Sequence, residues 1–197
     1  MSEQPIERER PSSSASPYRV VVNALLRHYK HVDSIRRLEV TDSNTPSGAQ
    51  ELFDGEYEPS PIERIRNQVA LYESTEGTEG NTLEGRPVVI LTTIGSKSRK
   101  VRKNPIMRIQ EDGIYVAAAS AAGSPKHPSW YGNLLVHPEV RLQDGSEVHV
   151  LRAREVFGEE RQRWWQVAER FWPHFPEYRE RAAGREIPLI LLEPIAD

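Results

Sequence analysis

The sequence predicts an α+β protein built on a small, closed or partly closed antiparallel β-barrel with peripheral helices. Short runs of β-branched and apolar residues, broken by Gly-containing turns, fill the chain from Val88 onward and read as strands. They number about six and do not alternate regularly with helices, which argues against a doubly wound parallel sheet and for an antiparallel barrel. With 197 residues, 37% hydrophobic and 28% charged, the chain has apolar content for one core and too little for two large domains.

Residues 1–17, rich in Ser, Pro and Glu, are expected to form a disordered tail. Residues 18–60 read as an amphipathic helix followed by a polar linker. Tyr18, Val22, Leu25, Tyr29 and Val32 recur at helical spacing with Arg27, Lys30, Arg36 and Arg37 between them. Such a helix docks on the main domain or a partner, or lies on a membrane surface. The barrel domain is expected over 61–197. Ser60 as N-cap with Pro61 at the first helical position opens a short helix through Tyr72.

Strands follow at Val88–Ile94, Asn104–Gln110 and Ile114–Ser120, the last two joined by a turn at Glu111-Asp112-Gly113. These three are expected to form a meander. A small-residue loop over 121–129 leads to a short helix around Trp130–Val136. Two strands, Val140–Gln143 and Glu147–Val156, flank Asp144-Gly145. Helices over Gly158–Arg170 and near Glu177–Ala183 precede a last apolar strand, Ile187–Leu192.

Charge is distributed unevenly. Residues 1–86 hold 10 Lys/Arg against 15 Asp/Glu, residues 87–110 hold 6 against 0, and residues 111–197 hold 10 against 14, within a chain of formal net charge -3. Lys97, Arg99, Lys100, Arg102 and Lys103 crowd the junction between two strands. A cationic loop held between strands is a site for an anion. Its isolation on an acidic chain favours one compact anionic ligand over nucleic acid.

Other chemistries find little support. The chain has no cysteine, no phosphate-binding Gly-rich motif and no histidines at credible metal-ligand spacing, His28 and His31 included. Ser96 and Ser98 lack a nearby His for nucleophilic catalysis. With so little acid-base machinery, any redox or transfer chemistry is expected to come from a cofactor. No apolar stretch approaches the roughly 20 residues that span a bilayer, and the N-terminus lacks a signal-peptide core. The expected location is cytoplasmic, with a peripheral position on the inner face of the cell membrane as the alternative if residues 18–38 contact lipid.

The residues after the basic run extend the site. Pro105 lacks an amide and suits an edge strand or bulge. Small residues over 119–133 let backbone approach a ligand, Lys126 adds a cation, and Trp130 offers a flat surface or packs in the core with Tyr131. Together they point to a phosphorylated or carboxylated ligand with a planar ring.

The strings GRPVVILTTIGSKSRKVRKNPIMRI, DGIYVAAASAAGSPKHPSWYGNLLVHPEV and IPLILLEP, with VALYESTEGTEGNTLEGRPV ahead of them, resemble the deazaflavin-dependent nitroreductase family, from about Pro61 to Pro194. The resemblance implies a split β-barrel that uses reduced coenzyme F-420 for hydride transfer to an electrophilic acceptor, a quinone or a nitroaromatic. It implies that Lys97, Ser98, Arg102 and Lys103 hold the coenzyme's phosphate and glutamate tail, with Arg99 and Lys100 turned to solvent. It places Asn104, Pro105 and Met107 against the ring system, Ala118, Ala119 and Ser120 at its other edge, Gly123 and Lys126 over the linker, and Trp130 and Asn133 at the end of the pocket. Tyr178 matches a position over the substrate, or packs in its helix; Phe175 stands where the pattern often has a second tyrosine, which puts nitroimidazole reduction in doubt. Two further readings remain: a non-catalytic carrier of coenzyme F-420, flavin or haem, and a module that binds an acidic partner through the basic loop.

Overall fold

The computed structural model describes residues 51–195. The tail expected over 1–17, the helix within 18–38 and the first part of the linker lie outside the described residues. Helix α1 spans Glu63–Ser74. Strands β1 (Thr82–Leu83), β2 (Arg86–Ile94), β3 (Val101–Met107), β4 (Gln110–Glu111) and β5 (Ile114–Ala118) follow, then a 3-10 turn at Ala121–Gly123 and helix α2 (Ser129–Val136). Strands β6 (Glu139–Asp144) and β7 (Glu147–Glu155), helices α3 (Gly158–Phe171) and α4 (Phe175–Arg181) and strand β8 (Leu189–Pro194) complete the order.

All strand pairings are antiparallel, in the order β1-β2-β6-β7-β8-β5-β4, with β3 on β2 as well. The sheet curls, bringing β3 near β5 without strand pairing between them. The chain leaving β3 crosses the remaining gap, and the Val116 amide donates to the Ile109 carbonyl at 2.9 Å. The barrel is therefore partly closed, as the sequence predicts.

β2 shows why its run has no polar face. Val89 and Leu91 point into the barrel with Trp130, Leu134, Val140 and Leu142, whereas Val88 and Ile90 point outward beneath Val69 and Tyr72 of α1. A strand covered on both faces reads as continuous apolar sequence. β5 and β8 are covered in the same way: Tyr115, Ala117, Ile190 and Leu192 face the interior, and Val116, Leu189 and Leu191 pack under Trp164 and Trp165 of α3, Trp172 just after it and Phe175 of α4. Each such side chain contributes about 1.5–3 kcal/mol when fully buried.

Several expectations need correction. The strand after the basic run begins at Val101 rather than Asn104, because Ile94↔Val101, Thr93↔Arg102 and Thr92↔Lys103 extend the hairpin into the cations. The three-strand meander does not form. β5 pairs with β4 and β8, not with β3, since its outward apolar residues are buried by α3 and α4 at the far end of the sheet. The first described helix starts at Glu63, and Ser60 Oγ accepts from the Ile62 amide at 3.2 Å ahead of it. β1 and β4, two residues each, are too short for periodicity to mark.

The end of the expected linker packs on the barrel. Phe53 is buried with Ile94 and Val101. The Val101 amide donates to the Glu56 carbonyl at 2.9 Å, and the Glu58 amide donates to the Val101 carbonyl at 3.0 Å, so 56–58 run beside the outer edge of β3. Polar composition hid this contact, which rests on one aromatic residue and main-chain bonds.

Candidate anion-binding cleft

The basic loop from Gly95 to Lys100 is a tight turn. The Gly95 amide donates to the Lys100 carbonyl at 2.8 Å, and the Arg99 amide donates to the Gly95 carbonyl at 2.9 Å. Arg99 sits at φ 62, in the left-handed region. A Cβ at Gly95 would lie 2.5 Å from Ser98 Oγ, so glycine is what lets Ser98 fold over the loop base.

A second anchor comes from α2. Trp130, Asn133 and Leu134, spaced i, i+3 and i+4, form its buried stripe. Asn133 lies where that stripe crosses the end of β2. Its Nδ2 donates to Thr93 Oγ1 and its Oδ1 accepts from the Ser96 amide, both at 3.0 Å. A buried carboxamide thus ties the first turn of the loop to the barrel wall. Among the described residues, the amides of Lys97 and Ser98 meet no acceptor and remain available to an anion.

Above the loop lies a cleft of about 400 Å³. Gly95, Ser96, Lys97 and Ser98 form its floor, Arg102, Lys103 and Asn104 of β3 one side, Ser129 and Asn133 of α2 another, and Glu58, Ser60 and Pro61 its rim. The cations differ in their commitments. Lys100 pairs with Glu56 at 2.8 Å, Arg102 with Glu58 at 2.6 Å and Lys103 with Glu73 at 2.6 Å. The hydrogen bond that Lys100 donates to Glu56 raises the Lys100 pKa. Lys103 also lies over the Tyr57 ring, 4.7 Å from its centroid, and burial, reinforced by Glu73, raises the Tyr57 pKa. Lys97 has no carboxylate partner among the described residues. Arg99 is exposed and lies 3.3 Å from His137 Nε2.

The structure brings Lys97, Ser98, Arg102, Lys103, Asn104 and Asn133 together in this cleft. Their roles differ from a uniform cationic grip. Lys103 stands opposite Thr92, on the face of β3 turned to α1, whereas Arg102 and Asn104 stand opposite Thr93 and Leu91. Arg99 and Lys100 both stand outside the cleft lining, as expected; Arg99 is exposed and Lys100 forms a surface pair with Glu56.

The remaining expected residues lie outside the cleft lining. Pro105 pairs with Ile90 on an edge strand, and Met107 packs against core clusters. The backbone of Ala118–Ser120 is committed: the Ala119 amide donates to Pro188, and the carbonyls of Ala119 and Ser120 accept from Arg185. Gly123, at φ 77, is packed so closely on α4 that a Cβ would come within 2.8 Å of the Tyr178 carbonyl. Lys126 is exposed, and Trp130 is part of the barrel interior, the packing alternative. Tyr178 packs edge-on to Phe175 and beneath the Arg181 guanidinium. Phe175 is 1% exposed and meets Trp165 edge-on, so a tyrosine hydroxyl there would enter the core rather than an acceptor pocket.

Sequence reasoning missed the rim residues Glu58 and Ser60 and a clamp at Arg185. The alternation Glu56, Glu58, Ser60 was the available signal for an added strand. Arg185 donates to the carbonyls of Ala119, Ser120 and Ser124 at 3.1, 2.8 and 2.9 Å and contacts His127 Nδ1 at 3.0 Å, fixing the 119–127 loop. Desolvation lowers its pKa. Nothing in the sequence marks which arginine performs this task.

Comparison with known proteins follows the same residues. Residues 64–194 match the family model described as F420H(2)-dependent quinone reductase. An F420H(2)-dependent quinone reductase of Mycobacterium tuberculosis is 28% identical over 135 residues, covering 66% of this chain and 90% of that protein. The solved structure of an F420H(2)-dependent reductase aligns at a TM-score of 0.52 and 46% identity, over 55% of this chain and 95% of that one. A domain-swapped dimer aligns at 0.54 and 41% identity, over 68% and 100%.

Proposed function

Because the chain belongs to the F420H(2)-dependent quinone reductase family, and is thereby a reductase that uses reduced coenzyme F-420, we propose that its acceptor is a quinone and that the Gly95–Lys100 loop seats the coenzyme's anionic arm. The observation that carries the site assignment is the donor set on the cleft floor. Lys97 and the amides of Lys97 and Ser98 are unengaged among the described residues, beside the Ser98 hydroxyl and Arg102. This set suits phosphate and carboxylate oxygens. Arg102 presents a fork, Lys97 a mobile point charge, and the two amides a short concave nest.

When bound, the reduced deazaflavin supplies a hydride to an electrophilic acceptor. The chain's own contribution is to bind, orient and shield. Asn133 fixes the loop against Thr93, and Asn104 extends the cleft along β3. Among the described residues, the lining includes no His or Tyr, and its one carboxyl group, Glu58, is engaged by Arg102. At this cleft the chain's contribution is to position the coenzyme. A quinone is favoured over a nitro compound by the kinship, and by Phe175, whose place in the core leaves that position no hydroxyl to offer an acceptor.

Fluorescence titration with oxidised coenzyme F-420, followed by oxidation of the reduced coenzyme with menadione or a nitroimidazole, tests this reading. Micromolar binding, faster turnover with menadione, and a loss of affinity above tenfold (about 1.4 kcal/mol) in a Lys97→Ala, Arg102→Ala double variant are expected. Absence of binding overturns the reading. Binding without turnover on either acceptor would make the protein a coenzyme carrier.

A further inference from the structure

The cleft that faces an anionic ligand already holds an anion of its own. Glu58 Oε2 accepts from Arg102 Nη2 at 2.6 Å, with side-chain exposures of 42% and 29%. Its position is fixed by the backbone: the Glu58 amide donates to the Val101 carbonyl, the Val101 amide donates to Glu56, and Phe53 anchors the segment in the pocket made with Ile94 and Val101. The carboxylate is thus delivered to the rim of the cleft on a strand docked beside the loop. It takes a guanidinium N–H that a phosphate or tail carboxylate would otherwise use. Among the described residues, Lys97, nearby on the floor, carries no such partner.

We propose that Glu58 is an internal competitor for Arg102 and sets the charge a ligand must carry to occupy the cleft. The proposal rests on the reading of this cleft as the coenzyme's anion site. A ligand with a single phosphate exchanges one oxyanion for another at Arg102 and leaves Glu58 without a partner near a new negative charge. A ligand with several anionic groups engages Lys97 and the free amides at the same time, and these contacts offset the displaced pair. Glu58 therefore discriminates against flavin mononucleotide and in favour of the tail-bearing deazaflavin. The half-exposed ion pair is weak enough to open, since solvent screens such pairs and holding two long side chains together costs entropy.

The test is a double-variant cycle read as dissociation constants, with thermal midpoints as a check on folding. Glu58→Gln keeps the backbone bonds and the side-chain volume. It is expected to tighten flavin mononucleotide binding about three- to tenfold, more than it tightens binding of oxidised coenzyme F-420, and to do nothing in an Arg102→Ala background. If Glu58→Gln changes neither affinity while Arg102→Ala weakens both, the competitor role is overturned and the cleft assignment stands. If neither substitution matters, the cleft assignment falls with it. Weaker binding in Glu58→Gln at an unchanged midpoint also overturns the proposal, because Glu58 would then be organising the site.

Discussion

Asn133→Ala is the sharpest probe of how the loop is held. Its carboxamide makes two hydrogen bonds of 3.0 Å inside the protein, one from Nδ2 to Thr93 Oγ1 and one to Oδ1 from the Ser96 amide. Asn133 is 7% exposed and Thr93 fully buried, so truncation removes both bonds and strands groups at least one of which lies away from water. Two lost bonds at about 1 kcal/mol each, plus the added cost of an unsatisfied buried group, give about 2–4 kcal/mol. For a chain of this size that corresponds to a fall in Tm of about 6–12 °C, at roughly 3 °C per kcal/mol. Calorimetry measures the stability and fluorescence titration the affinity for coenzyme F-420, which is expected to fall with it as Ser96 loosens. Lys97→Ala supplies the contrast, weakening binding at an unchanged midpoint. A stability loss with intact affinity would show that the turn bonds at Gly95 hold the loop without help from α2. No stability loss would refute the bridge itself.

Two further outcomes follow from local geometry. Gly123→Ala forces a Cβ to 2.8 Å from both the Tyr178 carbonyl and Arg181 Cβ, at a positive φ; a loss of about 1–3 kcal/mol in unfolding free energy, read by urea denaturation, is expected, and an unchanged stability would show that the 3-10 turn does not rest rigidly on α4. Burial first, then the hydrogen bond from its hydroxyl to Glu155 at 2.9 Å, pushes the Tyr131 pKa up to about 12. Because the folded value is raised above the unfolded one, its stabilising share is whole below pH 10 and is lost as pH climbs from 10 towards 12. Urea titrations across that window should show a steeper alkaline loss in the wild type than in Tyr131→Phe, and parallel curves would rule out this coupling.

Features read correctly from the sequence are those decided within a few residues. Val88–Ile94 is continuous in apolar character because both of its faces are covered, and Asp112-Gly113 turns with positive φ at both positions, as an Asp-Gly hairpin should. The basic run is visible as a charge anomaly. What the sequence hides is long-range pairing. Arg102 and Lys100 find their carboxylates 44 positions away and Lys103 finds one 30 away, so local charge could not reveal which cation stays free. The same holds for Trp130 and Gly123. A flat ring and a small residue are equally good ligand walls and packing pieces, and only their neighbours, the barrel interior and α4, decide between these uses.

The short stretch from Phe53 to Ser60 has a consequence for solubility. A sheet that stops at β3 would expose a row of main-chain donors and acceptors, the kind of border that recruits another chain into a shared sheet. Residues 56–58 occupy part of that border, and Phe53 fills an apolar socket beside it. A chain begun at Pro61, ahead of the first described helix, would uncover both at once. Such a fragment would tend to stick to its own copies, with Arg102, Lys103 and Pro105 left along the strand to discourage it.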